Sequence, residues 1–284
     1  MISKQEILQI ATNTKLSAQV VEKDYVLGWI LAGINQHSAL KDAWVFKGGT
    51  CLKKCYFESY RFSEDLDFTL LNNSHLDFEF LKNTFSEIAD WLYEKTGIEL
   101  PIEKMVFDQY KDGTCQCRIY YRGPITPTSH RQMPKIKLDL TTKEIIVDEP
   151  VRNKLYHPYS DSLLKEIQIL CYSYIELFAE KTRALAERAR PRDLYDVVHF
   201  YRRPESKLLA MQVRHALDKK CAFKGIQVPQ YHDLLVYESV CRAGWNVQLE
   251  HQLQSLPSFE LFWSELPNFF NWLERADMTR NGSY

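Results

Sequence analysis

Residues 65–71 read Asp-Leu-Asp-Phe-Thr-Leu-Leu, with acidic and apolar side chains alternating over the first four positions. Successive side chains of a strand point to opposite faces, so a period of two is a strand signature. Asp65 and Asp67 therefore share one face, and Leu66, Phe68 and Leu70 share the other. The apolar face requires a packed layer against it. Two carboxylates on the opposite face repel each other unless cations or solvent offset the charge. Whatever this chain folds into must contain a sheet with one acid-bearing face. That face is open to two readings: a grip for one or two divalent cations, or an edge strand with solvated acids.

The surrounding segments extend the sheet. Ala43–Phe46 is a short apolar run that enters Lys47-Gly48-Gly49-Thr50, and Cys51–Tyr56 follows at helical spacing. Strand, glycine turn and helix is the simplest order. Such a turn lets backbone approach a phosphate, and amides at a helix start attract anions. It is also an ordinary loop feature, and the GxxxxGK[ST] spacing of a P-loop is absent. Lys135–Thr141 alternates Ile136, Leu138 and Leu140 with Lys137 and Asp139, placing one more acid on a strand. Strand character is also expected over 102–109 and, after an Asp112-Gly113 turn, over 115–121. Apolar spacing predicts helices over 4–11, 17–35 and 76–96. The first two lack the basic character of a DNA-reading helix pair and read as packing helices.

After Thr142 the pattern changes. Residues 149–160, with Pro150 and Pro158, read as a linker. Helices are expected over 163–169, 174–188, 192–202, 205–222, 228–243, 248–255 and 259–275. The division is an α/β domain over 1–150 and a helical domain over 160–284.

Composition narrows the class. The 284 residues are 45% hydrophobic and 26% charged, a globular balance. No run approaches the ~18 apolar residues of a membrane span, and the N-terminus does not read as a secretory signal. The seven cysteines form no CxxC pair, which gives a zinc site little support and suits a cytoplasmic protein. The eight histidines form no HxxxH or HExxH pair. Lys and Arg number 10 against 14 acids over 1–100, 23 against 16 over 101–225, and 3 against 7 thereafter. A basic middle fits a polyanionic partner, although solvated helix faces produce the same excess.

The order Gly-Gly turn, DxD strand, lone strand Asp is what nucleotidyl transfer needs. Asp65 and Asp67 would hold metal ions bridging the nucleotide phosphates, and Asp139 would complete the second metal position and help deprotonate the attacking hydroxyl. Oxygen-only ligands favour Mg²⁺ or Mn²⁺. Gly48 and Gly49 would hold the triphosphate. From 181 to 203 the cations Lys181, Arg183, Arg188, Arg190, Arg192, Arg202 and Arg203 outnumber the acids. Lys181 and Arg188 lie two turns apart on one helix face, where they could bind phosphate. Asp193 would either orient one of them or complement the dipole of a helix starting near Pro191.

Three segments, Phe46-Lys-Gly-Gly-Thr50, Arg61-Phe-Ser-Glu-Asp-Leu-Asp67 and Leu138-Asp-Leu140, resemble the polymerase β-type nucleotidyltransferase superfamily. Val21-Glu-Lys-Asp-Tyr25, Leu155–Asp161, Glu180–Leu185 and Arg190–Asp196 narrow the resemblance to the AbiEii/AbiGii toxin family of type IV toxin–antitoxin systems. The resemblance implies an α+β fold, with a polymerase β-like core on a mixed sheet followed by a helical region. It implies a metal-dependent transfer of NMP from an NTP to an acceptor, an RNA such as a tRNA 3′ end, and a cognate antitoxin partner. The family's functional positions fall on Gly48, Ser63, Asp65, Asp67, Lys181 and Asp193, with Asp139 as third carboxylate; Gly49 and Thr50 belong to the same nucleotide-binding turn. Other acceptors, a protein or a small molecule, stay open, as does a non-catalytic RNA- or antitoxin-binding protein on this scaffold. A haloacid-dehalogenase-like phosphatase fits Asp65–Thr69 but wants an unbroken apolar strand before the first Asp, where this chain has Arg61-Phe-Ser-Glu64.

Overall fold

The computed structural model describes residues 1–127, 133–161 and 166–281. They form two compact units: Met1–Lys143 with Pro150–Cys171, and Glu144–Glu149 with Tyr172–Tyr284.

The first unit opens with α1 (Lys4–Thr14) and α2 (Ala18–Gln36), capped by the Ser3 and Ser17 hydroxyls. A mixed sheet follows, whose seven strands among the described residues are β1 (Trp44–Lys47), β2 (Asp65–Leu70), β3 (Val106–Tyr110), β4 (Thr114–Tyr120), β5 (Lys135–Thr141), β6 (Val151–Lys154) and β7 (Gln168–Cys171). Their order is β3-β4-β5-β2-β1-β7-β6. β2 pairs antiparallel with β1 and parallel with β5, and β7 runs parallel to β1. A short helix, α3 (Gly48–Cys51), continues into a π-helical turn over Leu52–Tyr56. The long α4 (Phe78–Thr96) follows β2 and is capped by Asp77.

Alternation on the central strands builds the core. Leu66 and Phe68 of β2, and Ile136, Leu138 and Leu140 of β5, are buried, while the intervening polar residues are half-buried on the other face. α2 is buried nearly all round, as a helix without a polar stripe must be. It meets α4 at Gly33, where a Cβ would come within 2.8 Å of Ile88.

In the first unit three sequence expectations shift. The strand read over 102–109 is a 3-10 turn (Ile102–Lys104) followed by β3. The linker contains β6. The helix expected over 163–169 does not form as such: 162–165 lie outside the described residues, and Gln168–Cys171 is β7. Ile167, Ile169 and Cys171 are buried and Gln168 is exposed. That is a period of two over too few residues for spacing to separate strand from helix.

The second unit is helical: α5 (Tyr174–Arg188), α6 (Pro191–Arg202), α7 (Ala210–Lys224), α8 (Tyr231–Leu234), α9 (Glu238–Leu249), α10 (Phe259–Trp263) and α11 (Leu266–Asn281). The helices read over 205–222, 228–243 and 248–255 are shortened or broken by 3-10 turns at Pro204–Leu208, Leu235–Tyr237 and Glu250–Gln252. Aromatic rings fill its core: Phe178 stacks on Phe200 at 4.8 Å, and Tyr195 on Phe262 at 5.1 Å. The strand-free segment 144–149 is tied in by Glu176, whose carboxylate accepts the Val147 and Asp148 amides and pairs with Lys220 at 2.6 Å. Among the described residues no helix is long and apolar enough to cross a membrane.

Candidate active site

The acid-bearing face is assembled by register. Asp67 of β2 lies opposite Asp139 of β5 and opposite Lys47 of β1, and Asp65 lies opposite Lys137. Neighbouring strands run about 4.8 Å apart, so side chains at paired positions on one face are adjacent. Asp65, Asp67 and Asp139 are all half-buried. Gln116, opposite Asp139 on β4, donates to its Oδ1 at 3.1 Å, and the Lys137 ammonium lies 2.6 Å from its Oδ2. Burial pulls Lys137 down, but Asp139 first and then Asp65 and Asp67 outweigh it, so the ammonium is held above its ordinary range. A cavity of about 220 Å³ opens beside this face, lined in part by Lys47, Asp67, Gln116 and Asp139.

The glycine turn closes one side. Gly48 has φ +77°, a left-handed value, and a Cβ there would fall 2.2 Å from Asp67 Oδ2. At Gly49 a Cβ would meet the buried Arg61 guanidinium at 2.7 Å and Ser63 Oγ at 3.0 Å. Thr50 is fully buried and donates its hydroxyl to the Asp65 carbonyl at 2.5 Å, fixing the turn to the start of β2. Backbone strain and the carboxylate clash add, so Gly48→Ala is expected to cost about 2 kcal/mol of stability, read from urea unfolding. An unchanged midpoint would mean that the turn has room for a side chain.

The donor set fits a hard divalent cation: carboxylate oxygens on adjacent strands, with space beside Asp67 kept open by the missing side chain of Gly48. Asp65, Asp67 and Asp139 are the residues that would hold it.

Val21–Tyr25 on α2 has partners throughout the first unit. Glu22 accepts the Ile125 and Thr126 amides at 2.7 and 2.9 Å. Lys23 pairs with Glu64, the residue before Asp65, at 2.5 Å. Asp24 pairs with Lys54, in the π-helical turn behind Gly48–Thr50, at 2.7 Å. The Tyr25 hydroxyl donates to Asp161 at 2.8 Å. These contacts make the motif a frame around the strand and turn that carry the site.

In the second unit Lys181 and Asp193 are brought together, though not as sole partners. Lys181 Nζ lies 2.7 Å from Asp196 Oδ2 and 3.7 Å from Asp193 Oδ1, and both carboxylates are buried. Arg188 grips Asp193 through two bonds, at 2.7 and 2.8 Å. The Arg188 side chain keeps 46% of its surface exposed, against 8% for Lys181. Sequence reading gave no role to Lys47, Gln116, Lys137 or Asp196. Lys47 and Gln116 are defined only by cross-strand register, whereas Lys137 stands two residues before Asp139 on the same strand face. Asp196 stands three residues after Asp193, a helical spacing that marks it as facing the same way.

Two solved structures share this architecture along most of their length. MenT4, a nucleotidyltransferase toxin from Mycobacterium tuberculosis, aligns over 99% of this chain and 93% of its own, with TM-score 0.63 and 17% identity. JHP933 from Helicobacter pylori aligns over 94% of this chain and 98% of its own, with TM-score 0.56 and 17% identity. At these identities the likeness is one of fold. No curated protein is similar to the chain at the level of sequence. The class is that of the nucleotidyltransferases. The sequence model of the family described as nucleotidyl transferase AbiEii toxin, type IV TA system, matches residues 29–275, and the chain belongs to that family.

Proposed function

We propose that this nucleotidyltransferase moves NMP from an NTP to the 3′ end of a tRNA, with Mg²⁺ or Mn²⁺ held by Asp65, Asp67 and Asp139, as the toxin partner of a cognate antitoxin in the cytoplasm. The observation that carries the reading is the pairing of Asp67 with Asp139 in register, with Gly48 leaving the space beside Asp67 open. A bound divalent cation would neutralise phosphate charge and make the attacking hydroxyl more acidic. The chain's own residues supply the rest. Backbone amides of the Gly48-Gly49-Thr50 turn approach the triphosphate, Ser63 offers a hydroxyl beside Gly49, and Lys47 and Lys137 balance the acids before substrate arrives. Asp139, held by Gln116 and Lys137, would take the proton of the attacking hydroxyl. In the second unit Lys181 and Asp193 stand at family positions for the nucleotide, and Asp193 orients Arg188, whose exposed guanidinium is suited to a phosphate. Support for the Lys181 and Asp193 roles comes from their family positions and from the ion-pair cluster that organises them.

Purified protein, total bacterial tRNA, Mg²⁺ and each α-³²P NTP in turn test the proposal. Label is expected on tRNA with one NTP, and none is expected in EDTA. Label on no tRNA but on another RNA, a protein or a small molecule would overturn the acceptor. Undiminished labelling in EDTA would overturn the metal requirement.

A further inference from the structure

Cys51 and Cys55 stand four residues apart on α3 and its π-helical continuation, a spacing that stacks them on one face. β7 runs parallel to β1 with Cys171 opposite Phe46, which sets Cys171 against the helix leaving β1. The three Sγ atoms lie within 4.8 Å of one another. All three thiols are free; Cys51 and Cys171 are buried and Cys55 is half-buried. A cavity of about 400 Å³, bordered by Cys55, Tyr56, Asn153 and His157, opens beside the cluster.

We propose that Cys51, Cys55 and Cys171 form a soft-metal site that binds one zinc ion through three thiolates, with a fourth position facing the cavity. Zinc–sulfur bonds of about 2.3 Å put tetrahedral sulfurs about 3.8 Å apart, so closing the cluster asks for shifts of no more than about 1 Å. Thiolates select soft or borderline cations, and the carboxylate face selects hard ones, so the two sites of this unit do not compete for one metal. Zinc would enter by displacing the thiol protons of the cluster, leaving three thiolates around the ion. Cysteines acting merely as small apolar residues have no need to bring three sulfurs together. The bound ion would staple the helix that begins at Gly48 to β7.

Reduced, metal-free protein titrated with Co²⁺ and then Zn²⁺ tests the site. A thiolate charge-transfer band saturating at one Co²⁺ per chain is expected, displaced by one equivalent of Zn²⁺, together with a zinc-dependent rise in melting temperature. Both signals are expected to vanish in Cys171→Ser and to persist in Cys221→Ser, a buried cysteine elsewhere. Cys55→Ser, at the half-buried position, keeps the test decisive should Cys171→Ser fail to fold: it should fold and bind at least tenfold more weakly. Absence of the band in the wild type, or equal binding by Cys55→Ser, would overturn the proposal. Mg²⁺ at millimolar concentration should leave the band unchanged.

Discussion

Asp67→Ala is expected to lower nucleotidyl transfer by about 10³-fold, the loss typical of removing a placed group that stabilises transition-state charge. Its fold should survive. Asp67 is half-buried and lies on the acid-bearing face and not against Leu66 and Phe68, so its removal opens no gap in the core. Asp139→Asn should cost about 10²-fold, because an amide neither takes the proton of the attacking hydroxyl nor accepts from both Gln116 and Lys137. Single-turnover transfer with labelled NTP measures both, with far-UV circular dichroism as the check on folding. If Asp67→Ala keeps more than about a tenth of the activity, less than 1.4 kcal/mol of transition-state stabilisation passes through this carboxylate, and the metal assignment fails.

The parts of the site legible in the sequence are those that local periodicity writes. Asp65 and Asp67 are two apart among buried apolar neighbours, and Asp139 repeats the pattern, so one face of each strand could be read directly. The expectation of an α+β fold with a mixed sheet and a helical C-terminal region holds. What escaped depends on pairing across long separations. Lys47 and Gln116 matter because β1 and β4 flank β2 and β5 in a given register, and no spacing along the chain encodes that. Cys171 fell just past a segment read as the helix 163–169, with no strand expected there, and Cys51 and Cys55 therefore looked like an isolated helical pair. Val21–Tyr25 carried its family resemblance legibly, but its meaning lay in partners at Glu64, Lys54, Ile125 and Asp161.

The largest stability effect is expected at Asp24. Its carboxylate and the Lys54 ammonium are both buried, 1% and 0% exposed, and 2.7 Å apart; the Tyr159 hydroxyl adds a bond to the same oxygen at 2.8 Å. A buried pair contributes modestly as a whole, because desolvation offsets attraction, yet removing one partner strands the other charge. Asp24→Ala should therefore cost about 3–5 kcal/mol, a large share of the 5–15 typical of a folded domain. Asp24→Leu combined with Lys54→Met should cost well under the sum of the single changes, and the double-mutant cycle in urea measures that coupling. Acid should act like the single change. Burial raises the Asp24 carboxyl, but Lys54 and then Lys53 outweigh it, so it is held below its ordinary 3.8. A depressed folded pKa means the contribution is present above 3.8 and is lost as pH falls through the lower, folded value. The acid-unfolding limb below pH 3.8 should therefore be steeper in the wild type than in the Leu/Met double variant. Because Lys54 stands in the turn behind Gly48–Thr50, Asp24→Ala should also weaken transfer in molecules that remain folded, while Asp67→Ala weakens transfer alone. That contrast separates a residue that holds the glycine turn in place from one that meets the substrate. Equal stability of Asp24→Ala and the wild type would show that Lys54 finds another partner or reaches water.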